Sequence, residues 1–207
     1  MKRKLICSAL MITCGLLAGC GGQSQQERFE SIRQPIDEAE TISLTATVTA
    51  NFTDKVEEFT LSCECRDGDW TLQVTQPEII AGVTARISEG DSTLEYEDAI
   101  LSTGDLTDSG ITPIQVVPMV VEALADGYID SLWTEEDCLT AKLIYDDTVA
   151  VTIWFDEANG PKAAELSENG TVKAACTIEN FTTEGSIQNE STEETDLGGD
   201  QSPSSGT

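Results

Sequence analysis

The sequence predicts an α+β fold in which a strongly curved antiparallel sheet carries helices on its concave side. About nine segments alternate apolar and polar residues with the period of two that a half-buried strand shows. Short turn sequences join most of these segments in order, which makes neighbouring strands antiparallel. Only two segments have helical spacing. Nine strands with one buried face are expected to curl around those helices rather than form a flat sheet.

The first element is predicted to be a helix over residues 24–40. Its apolar residues recur at intervals of three and four and form one stripe, which comprises Phe29, Ile32, Ile36 and Ala39. Pro35 is expected to kink this helix or end it early, because proline has no N–H to donate within a helix.

Five strands are predicted between this helix and the second one. The Asp67-Gly68 and Glu89-Gly90 pairs mark hairpin turns among them. The residues expected to face inward are Ile42, Leu44, Ala46, Val48, Ala50, Phe59, Leu61, Cys63, Cys65, Trp70, Leu72, Val74, Val83, Ala85, Ile87, Leu94 and Tyr96.

The second helix is predicted to begin after Thr112 and Pro113, which offer an N-cap and a proline at the first helical position, and to stop at Gly127. Pro118 allows a later start for the regular helix. One face of this helix is apolar and carries Ile114, Val117, Val121 and Leu124. Four further strands are predicted at 138–145, 149–156, 162–167 and 171–181.

The first twenty residues, MKRKLICSALMITCGLLAGC, have the pattern of a secretory signal. Three basic residues precede an apolar run that is too short to cross a bilayer as a mature helix. The closing Leu17-Ala18-Gly19-Cys20 resembles the lipobox of bacterial lipoproteins. That resemblance implies removal of residues 1–19 as a signal peptide and acyl chains, such as palmitate, on Cys20. The alternative is an ordinary cleaved signal peptide with a chance cysteine.

The lipid on Cys20 would hold the protein at the extracytoplasmic face of the bacterial cell membrane, with the outer membrane as the alternative location. Residues 20–26 are then a lipid-attached linker, and 27–181 form the folded domain. Residues 182–207 lack aromatic residues and are rich in Ser, Thr, Glu and Gly, so they are predicted to be a disordered acidic tail.

Charge excludes one class of partner. The chain has a net charge of −27, and removing Lys2, Arg3 and Lys4 from its 11 basic residues leaves 8 against 38 acidic ones, a net charge of −30. Nucleic acid is therefore not expected as a partner, because binding to it depends on neutralising phosphates. Charged partners are expected to be basic.

Four cysteines remain after the signal and anchor residues are set aside: Cys63, Cys65, Cys138 and Cys176. An even number in an exported protein permits disulfides, and buried free thiols are the equal alternative. A metal site is less favoured, because the only short spacing is the C-x-C of Cys63 and Cys65.

No catalytic motif stands out, and the chain has no histidine to serve as a general base or metal ligand. We therefore expect no enzyme activity, no catalytic residue, no bound metal and no cofactor. Trp70, Trp133 and Trp154 are interpreted as core or rim aromatics.

The order of elements resembles the LolA/LolB-like lipoprotein-localisation fold, an unclosed β-barrel whose open mouth is plugged by helices. The lipid-carrying lipoproteins LppX and LprG share that fold. Residues 69–124 carry the resemblance, in the runs DWTLQVTQP, IAGVTARI, STLEYE and TPIQVVPMVVEAL. The runs FDEANGPKAAELS at 155–167 and TIENF at 177–181 resemble later strands of that fold. The resemblance is one of pattern and implies the fold and an apolar cavity, without functional residues.

Two functions follow as expectations. In the first, a lipid or other apolar small molecule lies between the curved sheet and the helix, in a cavity lined by Leu72, Val74, Val83, Ile87, Leu94, Tyr96, Val117, Val121 and Leu124. In the alternative, this space is filled by side chains and the protein acts through a protein partner, in envelope assembly, sensing or a spore-related process.

Overall fold

The computed structural model describes residues 24–51, 55–105 and 111–185. It contains the helices α1 (Gln25–Asp37) and α2 (Val116–Asp126) and a short 3-10 helix at Glu78–Ile80. The strands are β1 (Ala39–Asn51), β2 (Val56–Arg66), β3 (Asp69–Gln76), β4 (Thr84–Ser88), β5 (Asp91–Tyr96), β6 (Ala99–Asp105), β7 (Tyr128–Glu135), β8 (Cys138–Ile144), β9 (Val149–Phe155), β10 (Pro161–Glu168) and β11 (Thr171–Gly185).

All eleven strands form one antiparallel, unclosed sheet in the order β6-β5-β4-β3-β2-β1-β11-β10-β9-β8-β7. The first and last strands of the domain, β1 and β11, therefore pair at its centre, while β6 and β7 are its edges. The predicted fold class is confirmed: a curved antiparallel sheet with two helices packed on its inner face.

Helix α1 begins at a capping box. Ser24 Oγ accepts a hydrogen bond from the Glu27 backbone N–H at 3.1 Å, and Glu27 Oε2 accepts one from the Ser24 N–H at 2.8 Å. Phe29, Ile32 and Ile36 are buried as predicted. The helix ends at Asp37, shortly after Pro35, so the prediction that Ala39 belongs to its stripe is wrong: Ala39 opens β1.

Helix α2 lies against the inner face of β8, β9, β10 and β11, and α1 packs on α2. Its N-cap is Gln115 rather than Thr112, and Pro118 stands in its first turn, where a missing N–H costs no helical hydrogen bond. The helix stops at Gly127, as predicted, although Gly127 is its C-cap and not the C′ residue that was expected. The Gly127 N–H donates to the Ala123 carbonyl.

Arg33 of α1 fixes the end of α2. Its Nε donates to the Leu124 carbonyl at 2.7 Å, and its Nη2 donates to the Gly127 carbonyl at 2.7 Å. The guanidinium also lies 4.8 Å from the centre of the Phe29 ring. A cation thus satisfies carbonyls that the end of a helix leaves without partners.

Two strands were not predicted, β6 and β7. Each departs from strict alternation, because the β5–β6 register shifts between Ser92 and Thr93 and the β7–β8 register shifts between Ile129 and Ser131. A shift of one residue reverses the faces and hides the period of two.

All four cysteines of the described residues are free thiols, so the disulfide alternative is not what the structure contains. Cys63, Cys65 and Cys176 are buried, and Cys138 is half-buried. Burial raises the pKa of Cys63 to about 12, with the nearby Cys176 adding to the effect, and burial raises the pKa of Cys176 to about 12. These thiols act as small apolar core side chains.

The folded elements run slightly beyond the predicted boundaries at 27 and 181, because α1 begins at Gln25 and β11 continues to Gly185. Residues 1–19, Cys20 and 186–207 lie outside the described residues. Among those that are described, no helix is long and apolar enough to cross a membrane.

Candidate binding face

The helices cover only one arm of the sheet. The strands that α1 and α2 mainly contact are β1, β7, β8, β9, β10 and β11. Strands β4, β5 and β6 form the other arm, beyond the main helical contacts. We call the inner face of β4–β6 the open face.

One row of inner side chains runs from the helical core to the open face. Its members are directly paired from each strand to the next, in the order Leu44, Cys63, Leu72, Ala85, Leu94 and Leu101. The first four are 1–4% exposed, Leu94 is half-buried, and Leu101 is 62% exposed. The row therefore continues with apolar residues beyond the strands that the helices mainly contact.

Exposed apolar residues gather on this arm. Of the seven large apolar side chains that are exposed in the described residues, three lie on this arm, Tyr96, Ile100 and Leu101, and a fourth, Ile79, lies in the 3-10 helix that precedes it. Leu101 pairs with Leu94 on the inner face, whereas Ile100 pairs with Glu95 on the outer face. Both sides of the β6 edge are therefore apolar.

The predicted cavity between helix and sheet is filled. Leu72 and Val74 on the sheet are 1% and 7% exposed, and Val117, Val121 and Leu124 on the helix are 2%, 5% and 0% exposed. They belong to one packed core. The walls of a ligand-sized opening would be accessible to water, so the prediction that these five side chains enclose a ligand is wrong.

The remaining predicted cavity residues lie outside that packed layer. Val83, Ile87 and Leu94 are half-buried at its margin. Tyr96 was expected to face inward into the core and is instead 46% exposed, because it lies at the end of β5, where the helices no longer cover the sheet.

A separate cleft of about 310 Å³ opens where the first half of α2 approaches the ends of two hairpins. We call it the α2 cleft. One side of the cleft is a face of α2 whose residues are spaced by three and four. The β2–β3 and β4–β5 turns of the sheet also line it. Its lining is Gly68, Trp70, Ile87, Glu89, Gly90, Gln115, Pro118, Met119, Glu122 and Tyr145.

The polar side of the α2 cleft is acidic. Tyr145 Oη donates a 2.6 Å hydrogen bond to Glu122 Oε2. Burial first, and then this hydrogen bond and the Glu122 charge, raise the pKa of Tyr145. The pKa of Cys65 is also raised, chiefly by burial and further by the charges of Glu122 and two aspartates. Several carboxylates therefore act on the same small region.

This cleft is not predictable from the sequence pattern. Glu122 and Tyr145 are brought together by the packing of α2 against the end of β8, and no local pattern relates them. The one available indication was the helical spacing of Gln115, Pro118, Met119 and Glu122 on a face different from that of Val117, Val121 and Leu124. Within residues 24–51, 55–105 and 111–185, no group of His, Cys, Asp or Glu side chains is arranged to hold a metal ion.

No protein-family model matches this chain. No curated protein matches it either.

Several solved structures are similar. A LolA superfamily protein of Nitrosomonas europaea is 10% identical, with 76% of this chain and 94% of that chain covered and a TM-score of 0.43. The lipoprotein LppX of Mycobacterium tuberculosis is 13% identical, with 79% and 100% covered and a TM-score of 0.39. A chain from the structure of the CwlD amidase of Clostridioides difficile in complex with the GerS lipoprotein is 9% identical, with 79% and 98% covered and a TM-score of 0.41. At these values, the functional argument depends on this chain's own geometry.

Proposed function

We propose that this chain is a lipid-anchored envelope protein that acts by binding a protein partner over its open face. The observation that carries this proposal is the apolar row from Leu72 through Leu94 to Leu101, which continues past the helices to an edge strand. Burying Leu94 and Leu101 against a partner would remove apolar surface from water, at about 25 cal/mol per Å².

The shape of the open face favours a protein over a small lipid. Small-molecule sites are concave and enclose most of the ligand's surface. The inner residues of the open face instead become more exposed toward the sheet edge, from Ala85 at 2% through the half-buried Leu94 to Leu101 at 62%. Within the described chain β6 pairs only with β5, so its second edge offers unpaired N–H and C=O groups. An extended segment of a partner can add to such an edge and place alternate side chains on Leu101.

The proposed lipid anchor would place this binding at the membrane surface. Lipid on Cys20 would keep the domain at the membrane surface despite the acidity of the chain, which is repelled by anionic headgroups. The proposed role is binding rather than catalysis, and it requires no cofactor.

Site-specific photocrosslinking in the native host tests the proposal. A photoreactive phenylalanine analogue at position 101 should form a discrete protein adduct in the envelope. The same analogue at Val172, a 43% exposed apolar residue at the start of β11, is the matched control.

An adduct of defined mass at position 101, absent at position 172 and lost when Leu94→Asp is added, supports the proposal. A lipid adduct at position 101 would instead indicate that the ligand is a lipid or another apolar small molecule, and would contradict the proposal. Equal adducts at both positions would show non-specific contact and contradict the proposal.

A further inference from the structure

We propose that the α2 cleft is a binding site for an arginine side chain of the protein partner. This inference rests on the proposed function, because it names the chemistry of one contact that the partner makes. The α2 cleft and the open face share Ile87 of β4, and the β4–β5 turn that lines the cleft leads directly into β5, so one partner can reach both.

The walls of the α2 cleft suit the planar face of a guanidinium and its aliphatic stem. The half-buried Ile87 and Tyr145 supply accessible apolar and aromatic surface, while Trp70 and Met119, which are 4% and 9% exposed, contribute smaller parts of the lining. A volume of about 310 Å³ is at the lower limit of ligand pockets, so it fits one side chain better than an acyl chain. Arginine stacks on aromatic rings while its N–H groups bind carboxylates, which a hydrated ammonium does less well.

The negative charge of the cleft has no cationic counterpart among the residues that the structure describes. Glu122 and Glu89 both line it, and in the described part of the chain neither joins an ion pair; the five ion pairs there involve other carboxylates. No lysine or arginine is among the described residues that line it. Glu122 Oε2 is held by Tyr145, which leaves Oε1 free to accept from a cation.

The organisation of Glu122 distinguishes it from other surface acids. The 2.6 Å hydrogen bond from Tyr145 restricts the Glu122 carboxylate, and Glu89 also lines the cleft, from the β4–β5 turn. A carboxylate that is held in place loses less side-chain entropy when it binds a guanidinium. The net charge of the chain is −27, and this excess of acidic residues increases the concentration of a basic segment near the protein surface.

The test uses the full chain, produced from its complete gene, labelled with 5-fluorotryptophan and purified into nanodiscs of zwitterionic lipid. The probe is N-acetyl-arginine amide, and the neutral isostere N-acetyl-citrulline amide is the control ligand. The Trp70 resonance in the ¹⁹F spectrum, assigned with Trp70→Phe, should shift with millimolar affinity for the arginine compound. Trp133, which does not line the cleft, is the internal reference.

Two variants locate the charge. Glu122→Gln should weaken arginine binding by about tenfold, because the amide still accepts from Tyr145 but loses the ionic contact. Glu89→Gln should also weaken it. Glu165→Gln, which removes a charge from an exposed position of β10, should not.

Absence of a Trp70 shift, an equal shift with the citrulline compound, or equal weakening by Glu165→Gln overturns the inference. If Trp70 does not respond but position 101 still forms its specific protein adduct, the α2 cleft is not the contact while the proposed function stands. If Trp70 responds and no adduct forms at position 101, the cleft binds arginine and the open face is not the partner surface.

Discussion

Leu94 and Leu101 face each other directly across β5 and β6 on the inner side of the sheet, yet Leu94 is half-buried and Leu101 is 62% exposed. The change occurs within one pair of strands, because the helices that cover the rest of the inner face lie mainly on the other arm. The domain thus keeps two exposed apolar residues, Ile100 and Leu101, in an edge strand, where soluble proteins usually place charge. This arrangement is what the proposed partner would cover.

Substituting Val121 with tryptophan tests whether the space under α2 is filled. Val121 is 5% exposed in a packed core, so Val121→Trp should overpack it and lower the free energy of unfolding by about 1–3 kcal/mol. Urea denaturation measures the change. Tyr128→Trp, at a 75% exposed position, is the control and should change stability by less than about 0.5 kcal/mol. An unchanged midpoint for Val121→Trp would mean that a cavity accepts the indole.

Arg33→Ala should destabilise the contact between the two helices. It removes two hydrogen bonds from a cation to the Leu124 and Gly127 carbonyls, so we expect a loss of about 1.5–3 kcal/mol in the free energy of unfolding. Arg66→Ala removes a side chain that is 66% exposed and that, among the described residues, pairs with Glu64, and it should cost much less. Equal losses in urea denaturation would contradict the structural role of Arg33.

The buried thiols predict how stability changes at alkaline pH. Burial raises the pKa of Cys63 and of Cys176 to about 12, whereas the same thiols ionise near pH 9 when unfolded. Their contribution is complete below pH 9. It is lost as pH rises toward 12, with a slope of up to about 1.4 kcal/mol per pH unit for each thiol, because only the unfolded state releases the proton.

Cys63→Ala should therefore flatten the decline of stability between pH 9 and 11, measured by urea denaturation at several pH values. Ile153→Val is the control: it costs about 0.5–1.5 kcal/mol in the core but keeps both thiols, and its slope should match that of the parent chain. Parallel slopes for the parent and Cys63→Ala would contradict this explanation.

The anchor predicts a change of location. Cys20→Ser should move the protein from the membrane fraction to the soluble exported fraction, because no other feature of this acidic chain favours an anionic surface. Cys14→Ser, within the predicted signal peptide, is the control and should remain in the membrane fraction. Membrane association of Cys20→Ser would contradict lipid attachment at that residue.

The fold is predictable from the sequence in strands that bury only one face. In β1 every second residue from Ile42 to Ala50 is buried, so alternation reports the strand directly. Ile100 and Leu101 of β6 are adjacent, apolar and exposed on opposite faces, so no alternation marks that strand. The inward prediction for Tyr96 failed for a related reason: alternation identifies a face of the sheet but does not show where its helical cover ends.

The candidate site was less accessible to sequence reasoning. Leu94 and Leu101 become one surface through strand pairing, and Glu122 meets Tyr145 through the packing of α2 beside the end of β8. Such contacts depend on the relative placement of elements, which periodicity does not specify. Val117, Val121 and Leu124 were correctly placed on the face of α2 that packs on the sheet, but that face closes the space instead of lining it.

The most direct test of the account is whether the open face is covered in the native envelope. In a Cys138→Ala background, a cysteine is introduced by Leu101→Cys or, as control, by Val172→Cys, and its labelling by a small maleimide is timed in native envelopes and in the purified protein. The account predicts that the Leu101→Cys chain is labelled several-fold more slowly in envelopes than after purification, while Val172→Cys is labelled equally in both. Equal labelling of Leu101→Cys in the two preparations would contradict binding over the open face.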